Sequence, residues 1–288
     1  MDTTILIVTY NSQSVIYNCL NSINKKIPVV IVENSSDQNF KKNLEDKYLN
    51  VRCVLTNDNL GFASGNNFGL NLINSKYVFL LNPDTILQPD TLDILVNIAE
   101  KIKNFALLAP KSTNDSNFGF FNHDSNKKIK NSKEIFEVDY IKGFAMFFNK
   151  NKFINISFFD PKIFIYFEEM DLCMRLKNIN EKIYLVPQAK ISHGGGKSHG
   201  SIFDIEMELS RNWHYMWSMF YYYNKHFGKS KAFKKTFNYF FLSFFKLFFY
   251  FFFNKKKYLI HKSRLLGLLN SYFGRKSHYR PHFTNKIF

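Results

Sequence analysis

The chain has little cysteine and little acid. Three cysteines occur in 288 residues: Cys19, Cys53 and Cys173. They lie far apart and form no C-x-x-C pair, which argues against a disulfide framework or a zinc site and fits a reducing cytosol. A basic stretch followed by an apolar run and a small-residue cleavage site is missing from the start. Ile5-Leu6-Ile7-Val8 reads as a first strand instead, so no secretory leader is expected. The sequence shows no internal repeat, and the G-x-x-x-x-G-K spacing of a phosphate loop is absent.

The shortage of acid is local. Against 39 Lys and Arg there are 23 Asp and Glu, a formal net charge of +16. Residues 205–288 hold 16 of the basic residues and 2 of the acids, so this stretch carries +14. Residues 1–204 are nearly neutral. A nucleic-acid binder would carry basic groups on its folded face, so no nucleic-acid partner is expected. A basic tail rich in Phe points to an anionic membrane surface. Hydrophobic residues make up 45% and charged ones 22%, which permits a sizeable core and argues against a mainly disordered chain.

The first part alternates apolar β-rich runs with helical stretches. The pattern predicts strands over Thr4–Thr9, Val29–Glu33, Val51–Thr56 and Tyr77–Leu81, with helices over Ser12–Ile23, Phe40–Tyr48 and Asn66–Ile73. Runs without a polar alternation fit strands covered on both faces. The alternation predicts an α/β fold with a doubly wound, mostly parallel sheet. Ligands in such sheets bind beyond the carboxyl ends of the strands. A helix over Pro89–Lys103, a strand over Ala106–Pro110, a loop and edge hairpin over 112–135 and a buried strand in Asp139–Asn149 follow. Then come a helix over Glu168–Leu176, a strand over Lys182–Val186 and a glycine-rich loop over Ser192–Gly200. A long helix is expected over Ile205–His226, broken at Gly228-Lys229.

Five segments carry candidate chemistry. Tyr77 to Thr85 is an apolar strand that delivers Asp84 to the crevice side. A carboxylate there can share a divalent cation with a diphosphate leaving group, and Mg²⁺ or Mn²⁺ suits such oxygen ligands. The plainer reading is that Asn82-Pro83-Asp84-Thr85 is a turn capping the next helix. Thr9, Tyr10 and Asn11 close the first strand, where they can hold a base or ribose, while Asn11 and Ser12 equally suit a helix cap. Glu33 ends the second strand and can accept from a base or ribose donor; a surface acid is the alternative. Asn59, Gly61, Gly65 and Asn66 precede a helix and can bring backbone N–H groups to a phosphate or ribose. Glu168, Glu169 and Asp171 crowd one helix start. Acids favour that place, and Asp171 with Arg175 makes an i,i+4 pair, but Glu169 is left without a structural task. With a raised pKa it can take a proton from an acceptor hydroxyl. Last, His193 precedes a flexible loop, where neutral imidazole can complete a metal shell and Lys197 can meet diphosphate.

Taken in order, these pieces resemble family 2 glycosyltransferases of the GT-A fold, and in particular a bacterial rhamnosyltransferase-like subgroup that builds cell-surface polysaccharides. The matching segments are VTYNS at 8–12, VENSS at 32–36, NLGFASGNN at 59–67, LLNPDT at 80–85, KGFAMFF at 142–148, FDPKIFIYFEEMDLCMRL at 159–176 and SHGGGKS at 192–198. The resemblance implies roles. Asp84 looks like the metal-binding acid of a D-x-D-type motif whose first acid is replaced by Asn82, which joins the donor-binding residues. His193 matches the family's metal-binding His. Glu169 falls where the family's base sits, usually an Asp, with Glu168 and Asp171 beside it. Glu33 stands at a nucleotide-binding position, and Gly143 in the segment that approaches donor sugar and acceptor.

The resemblance further implies residues 1–203 as the catalytic domain, with a nucleotide-sugar half to about 110 and an acceptor half after it. Residues 204–288 form a basic, Phe-rich helical tail. The implied reaction moves a sugar, rhamnose in the leading reading, from a nucleotide-sugar donor to a lipid-linked saccharide with inversion. Galactofuranosyl, glucosyl or N-acetylhexosaminyl transfer are alternatives, as are a nucleotide-sugar hydrolase and an inactive membrane-bound scaffold. The location implied is cytoplasmic, peripheral at the inner face of the cell membrane. Phe237–Phe253 is 17 residues, at the lower edge of spanning length, with Lys246 mid-run. An interfacial helix with its basic flank on anionic lipid is expected, against the alternative of a helix packed on the catalytic domain.

Overall fold

The computed structural model describes residues 2–114, 120–121, 134–194 and 204–281. They form two compact units: Met1–Asp160 with Glu169–Gly200, and Pro161–Glu168 with Ser201–Phe288.

The first unit is built on a nine-stranded sheet. Its chain order is β1 (Thr3–Thr9), α1 (Ile16–Asn21), β2 (Val29–Glu33), α2 (Gln38–Lys47), β3 (Val51–Leu55), α3 (Gly61–Leu72) and β4 (Tyr77–Leu81). Then follow β5 (Thr85–Leu87), α4 (Thr91–Ile102), β6 (Leu107–Ser112), β7 (Phe120–Phe121), β8 (Phe136–Glu137), β9 (Tyr140–Ile141), β10 (Ala145–Asn149), α5 (Glu168–Asn178) and β11 (Ile183–His193). A 3-10 turn, Lys150–Phe153, follows β10. The strands lie in the order β3-β2-β1-β4-β10-β6-β11-β5, β8 pairs with β11, and β7 and β9 form a separate ribbon.

Strands β3, β2, β1 and β4 are parallel, as the repeating pattern predicts. Beyond β4 the sheet is mixed. β10 runs antiparallel to β4 and β6, and β11 is parallel to β6. The carboxyl ends of β1, β2, β4, β6 and β11 therefore share one edge with the amino end of β10.

Alternation along the strands explains the double cover. Ile5, Ile7, Phe79 and Leu81 enter one core with residues of α1, α2 and α4. Leu6, Val8, Val78 and Leu80 enter the other with residues of α3 and α5. Each such side chain, fully buried, contributes about 1.5–3 kcal/mol. Close approach on the second face depends on Gly69: a Cβ there would lie 2.3 Å from Leu6 Cδ1.

Some boundaries differ from expectation for identifiable reasons. β11 does not stop at Val186. A register shift between Val186 and Lys190 absorbs Pro187, which has no N–H to give, and the strand resumes to His193. Helix α1 is shorter than expected because Ser12–Val15 form a turn, with Val15 N and Ile16 N both donating to Ser12 O.

The second unit holds α6 (Asp204–Phe227), α7 (Lys229–Phe253) and α8 (Lys255–Tyr272), with Gly228 (φ 84°) at the first break. Helix α8 has no clear apolar period, which is why the pattern did not reveal it. It starts where Asn254 accepts from Lys257 N at 2.9 Å and crosses α6 closely at Gly267, where a Cβ would lie 2.3 Å from Trp213 O. Ser263 and Ser271 donate to Leu209 O and Trp217 O across that crossing. Within the same unit, Phe164 stacks on His214 at 4.4 Å and Ser218 donates to Ile165 O, so residues 161–168 are fixed to α6.

Candidate active site

The carboxyl edge of the sheet gathers most of the singled-out residues. At the end of β1, Thr9 Oγ1 donates to Glu33 Oε2 at 2.5 Å, joining it to the end of β2. Both are buried. Burial raises the Glu33 carboxyl above the usual range, and the hydrogen bonds from Ser35 and Thr9 offset part of that. Tyr10 hydrogen-bonds Asn59, although burial still raises its phenol. Asn59 Oδ1 accepts from Gly61 N at 3.0 Å. Asn11 takes a positive φ of 54°, which Asn tolerates.

The stretch around Gly61 is not a loop before a helix. Helix α3 starts at Gly61, itself at φ 80°, so Gly65 and Asn66 lie within it. A Cβ on Gly65 would meet Val8 Cγ1 and Asn34 Nδ2 at 3.0 Å. Gly65 thus lets the helix approach the sheet. Asn66 is fully buried, with Nδ2 donating to Phe62 O.

Asn82-Pro83-Asp84-Thr85 is a turn, as the plainer reading has it: Thr85 N donates to Asn82 O at 3.1 Å. It joins β4 to β5, however, and caps no helix. Antiparallel pairing sets His193 of β11 opposite Thr85. The register brings His193 Nε2 to 3.3 Å from Asp84 Oδ1, and Gly194 N donates to Asp84 O at 3.0 Å. Phe144 stacks on the imidazole at 4.4 Å while its carbonyl accepts from Asn82 N. Among the described residues no group of three His, Cys, Asp or Glu is placed to hold a metal. The donor set is a pair, Asp84 and His193, beside Asn82 Oδ1, which is buried and has no hydrogen-bond partner among the described residues. A carboxylate, an imidazole and an amide oxygen suit Mg²⁺ or Mn²⁺ whose remaining ligands come from a diphosphate. Lys197 lies outside the described residues.

Gly143 precedes β10 at the same edge. A Cβ on it would sit 3.6 Å from Glu169 Cβ and 3.7 Å from Phe62 Cε1. Glu169 keeps part of its surface accessible. Its carboxyl is nonetheless desolvated, which raises its pKa; the N–H groups of Glu169 and Met170 and the Lys142 charge offset part of this. Glu168 is buried. Asp171 is fully buried and paired with Arg175 Nε at 2.9 Å, and Arg175 also donates to Ser157 O and Phe158 O. That is the i,i+4 pairing its spacing predicts, and it occupies Asp171 in holding the segment before α5.

Three residues escaped the sequence reading. Phe144 links the turn to His193. Asn34 Nδ2 donates to Gly61 O, tying β2 to the start of α3. Asn67 pairs both ways with Phe159, accepting from its N at 2.9 Å and donating to its O at 2.8 Å. The one available signal was the run of Asn at strand and helix ends, where amides satisfy backbone groups.

The chain is 25% identical over 198 residues to a low-salt glycan biosynthesis hexosyltransferase of Haloferax volcanii, covering 63% of this chain and 64% of that protein. It thus spans a little under two thirds of that relative's length. It is 26% identical over 227 residues to the rhamnosyltransferase WbbL of Escherichia coli, covering 69% of this chain and 86% of that one. A mannosyltransferase of Pyrobaculum calidifontis, solved with GDP-Man and Mn²⁺, shares its fold with a TM-score of 0.59 at 10% identity, over 96% of this chain and 88% of that chain. The family model for glycosyl transferase family 2 matches residues 4–172, more than half of the sequence, and the chain therefore belongs to glycosyl transferase family 2.

Proposed function

We propose that this chain transfers a sugar from a nucleoside diphosphate donor to a saccharide acceptor, by one displacement that inverts the anomeric carbon. The observation that carries the reading is the pair Asp84 and His193, 3.3 Å apart at the strand edge that also holds Glu33 and Gly143. Asp84 and His193 would hold a divalent cation, with Asn82 Oδ1 beside them. The cation would neutralise charge on the departing diphosphate.

The other steps belong to side chains. Glu33, held by Thr9, accepts from the base or ribose of the donor. Tyr10 and Asn59 flank the nucleotide, and the amino end of α3 at Gly61 faces it. Gly143 leaves room beside Glu169 for the reacting hydroxyl. Glu169, with its pKa raised by burial, takes the hydroxyl proton as that oxygen attacks. Asp171 holds its segment through Arg175 and is not the base. Rhamnose is the sugar favoured, on the strength of the rhamnosyltransferase relative. The acceptor is a lipid-linked saccharide in cell-surface polysaccharide synthesis, met at the inner face of the cell membrane, with residues 204–288 as the membrane-bound part.

Purified protein with Mn²⁺ and a panel of nucleotide sugars tests the reading, measured as nucleoside diphosphate release with and without a saccharide acceptor. Acceptor-dependent release with one donor is expected, with an inverted anomer in the product. Equal release without acceptor would replace transfer by hydrolysis, and no release from any donor would contradict the reading.

A further inference from the structure

Helix α7 is amphipathic in the reverse sense. In a bundle surrounded by water, large apolar side chains face the neighbours and small polar ones face out. Here the residues buried against α6 and α8 are Ala232, Thr236 and Ser243. Thr236 Oγ1 donates to Ala232 O and meets Tyr272 Oη at 2.9 Å, so this inner face is satisfied as well as small. Phe233 packs on Phe220 and Tyr272, and Phe240 on Tyr272, but most of the aromatic residues point away: Phe245 is 65% exposed, Phe248 60% and Phe252 77%, with Phe237, Phe241 and Phe249 also exposed. Small residues between helices and large apolar ones outside is the arrangement of helices in lipid.

Lys246 interrupts this run in sequence but not on the outer face. It is half-buried, and its charge acts on His261 of α8, whose pKa burial lowers to about 4 with help from Arg264, Lys246 and Lys257. The outer sector from Phe237 to Phe253 is thereby free of charge. Cations stand at its two ends: Lys229, Lys231, Lys234 and Lys235 before it, and Lys255, Lys256 and Lys257 after it, with Lys256 paired to Glu208.

The packing also rules out a spanning helix. α8 runs antiparallel along α7, through Thr236 with Tyr272, Phe240 with Tyr272, Tyr250 with His261 and Phe251 with Tyr258. α8 carries an exposed Lys262, and Arg264 bonded to Asn212 of α6. A spanning α7 would drag these charges into hydrocarbon, which is unfavourable. By length and composition alone the 25-residue α7 could cross a membrane; the charged residues packed along it argue against that.

We infer that α7 lies in the plane of an anionic membrane. Its outer Phe sector enters the acyl boundary and its terminal lysines meet lipid phosphates, while α6 and α8 stay on the water side. This deepens the reading of the chain as an enzyme of lipid-linked acceptors, and rests on it only for its purpose.

Co-sedimentation of the full chain with vesicles tests it, using phosphatidylcholine alone or mixed with phosphatidylglycerol. Binding is expected to the anionic vesicles, to weaken with salt and to be released by alkaline carbonate. The triple variant Phe245→Ser, Phe248→Ser, Phe252→Ser should bind at least about tenfold more weakly, since each ring buries apolar area. Its far-UV circular dichroism and its nucleoside diphosphate release in solution should stay as in the parent. Binding that resists carbonate, equal binding to neutral vesicles, or an unaffected triple variant would each overturn the inference. So would a dimer in solution that the triple variant splits while vesicle binding persists. Absence of diphosphate release in parent and variant alike would count against the transferase reading and leave the vesicle result standing.

Discussion

His193 Nε2 stands 3.3 Å from Asp84 Oδ1, because β11 resumes after its register shift and pairs with β5. The two side chains come from distant parts of the sequence and converge through strand register. If they share a cation, His193→Ala should weaken Mn²⁺ about tenfold or more, a scale typical of disturbing a metal's supporting ligands. Saturating Mn²⁺ should restore most of the rate. The check is diphosphate release as a function of metal concentration. The loss of stacking on Phe144 predicts a small drop in Tm besides.

Glu169 gives a pH prediction with a definite sign. Its active form is the carboxylate, and burial raises its pKa. Activity should therefore rise with pH along an acid limb set above the ordinary glutamate range. Glu169→Gln should remove that limb together with the activity. A raised carboxyl pKa favours the neutral form in the fold, so its contribution to stability is best in acid and declines as pH rises through the folded value. Glu169→Gln should consequently match or exceed the parent Tm at neutral pH, and the difference should vanish in acid. Thermal melts across pH measure it.

Glu33 is a buried carboxylate that accepts from Thr9 at 2.5 Å and from Ser35. Glu33→Gln keeps an acceptor for Thr9 but removes the charge a base or ribose donor would meet. Nucleotide binding should weaken about tenfold, as for loss of one hydrogen bond to a charged group. Stability without nucleotide should hold or rise, because desolvation of the charge is relieved. Calorimetric titration with nucleoside diphosphates and a melt of the free protein separate the two effects.

Asn67 makes two hydrogen bonds to the backbone of Phe159, shortly before the segment that leads into α5. Asn67→Ala should destabilise the protein by about 1–3 kcal/mol, since both Phe159 groups lose their partner. Denaturant unfolding measures that loss. Because the same segment precedes Glu169, turnover should fall more than nucleotide affinity.

Much of this was legible beforehand. Apolar runs with a polar residue at the carboxyl end located β1, β2 and β4 and with them Thr9, Glu33 and Asp84. The acid-rich start of α5 was visible for the same reason, a change of period at a helix boundary. What escaped has physical causes. The antiparallel β10 between β4 and β6 depends on pairing between distant segments, which no local pattern encodes. Pro187 reads as a terminator, and only the partner strand reveals a bulge that carries β11 on to His193. Gly65 reads as part of a loop, whereas its lack of a Cβ serves the contact of α3 with Val8 and Asn34. In α7 the sequence displayed the Phe run but not its direction; the small residues between the rings, Thr236 and Ser243, were the overlooked sign of which side faces the other helices.

The central claim is tested most directly by the rate of nucleoside diphosphate release against Mn²⁺ concentration for the parent, Asp84→Asn and Glu169→Gln. The parent should depend on the metal. Asp84→Asn should lose about a hundredfold or more, as removal of a charge that helps neutralise the leaving group implies. Glu169→Gln should still bind Mn²⁺ and donor but fail to turn over. Metal-dependent release at the parent rate by both variants would contradict the account.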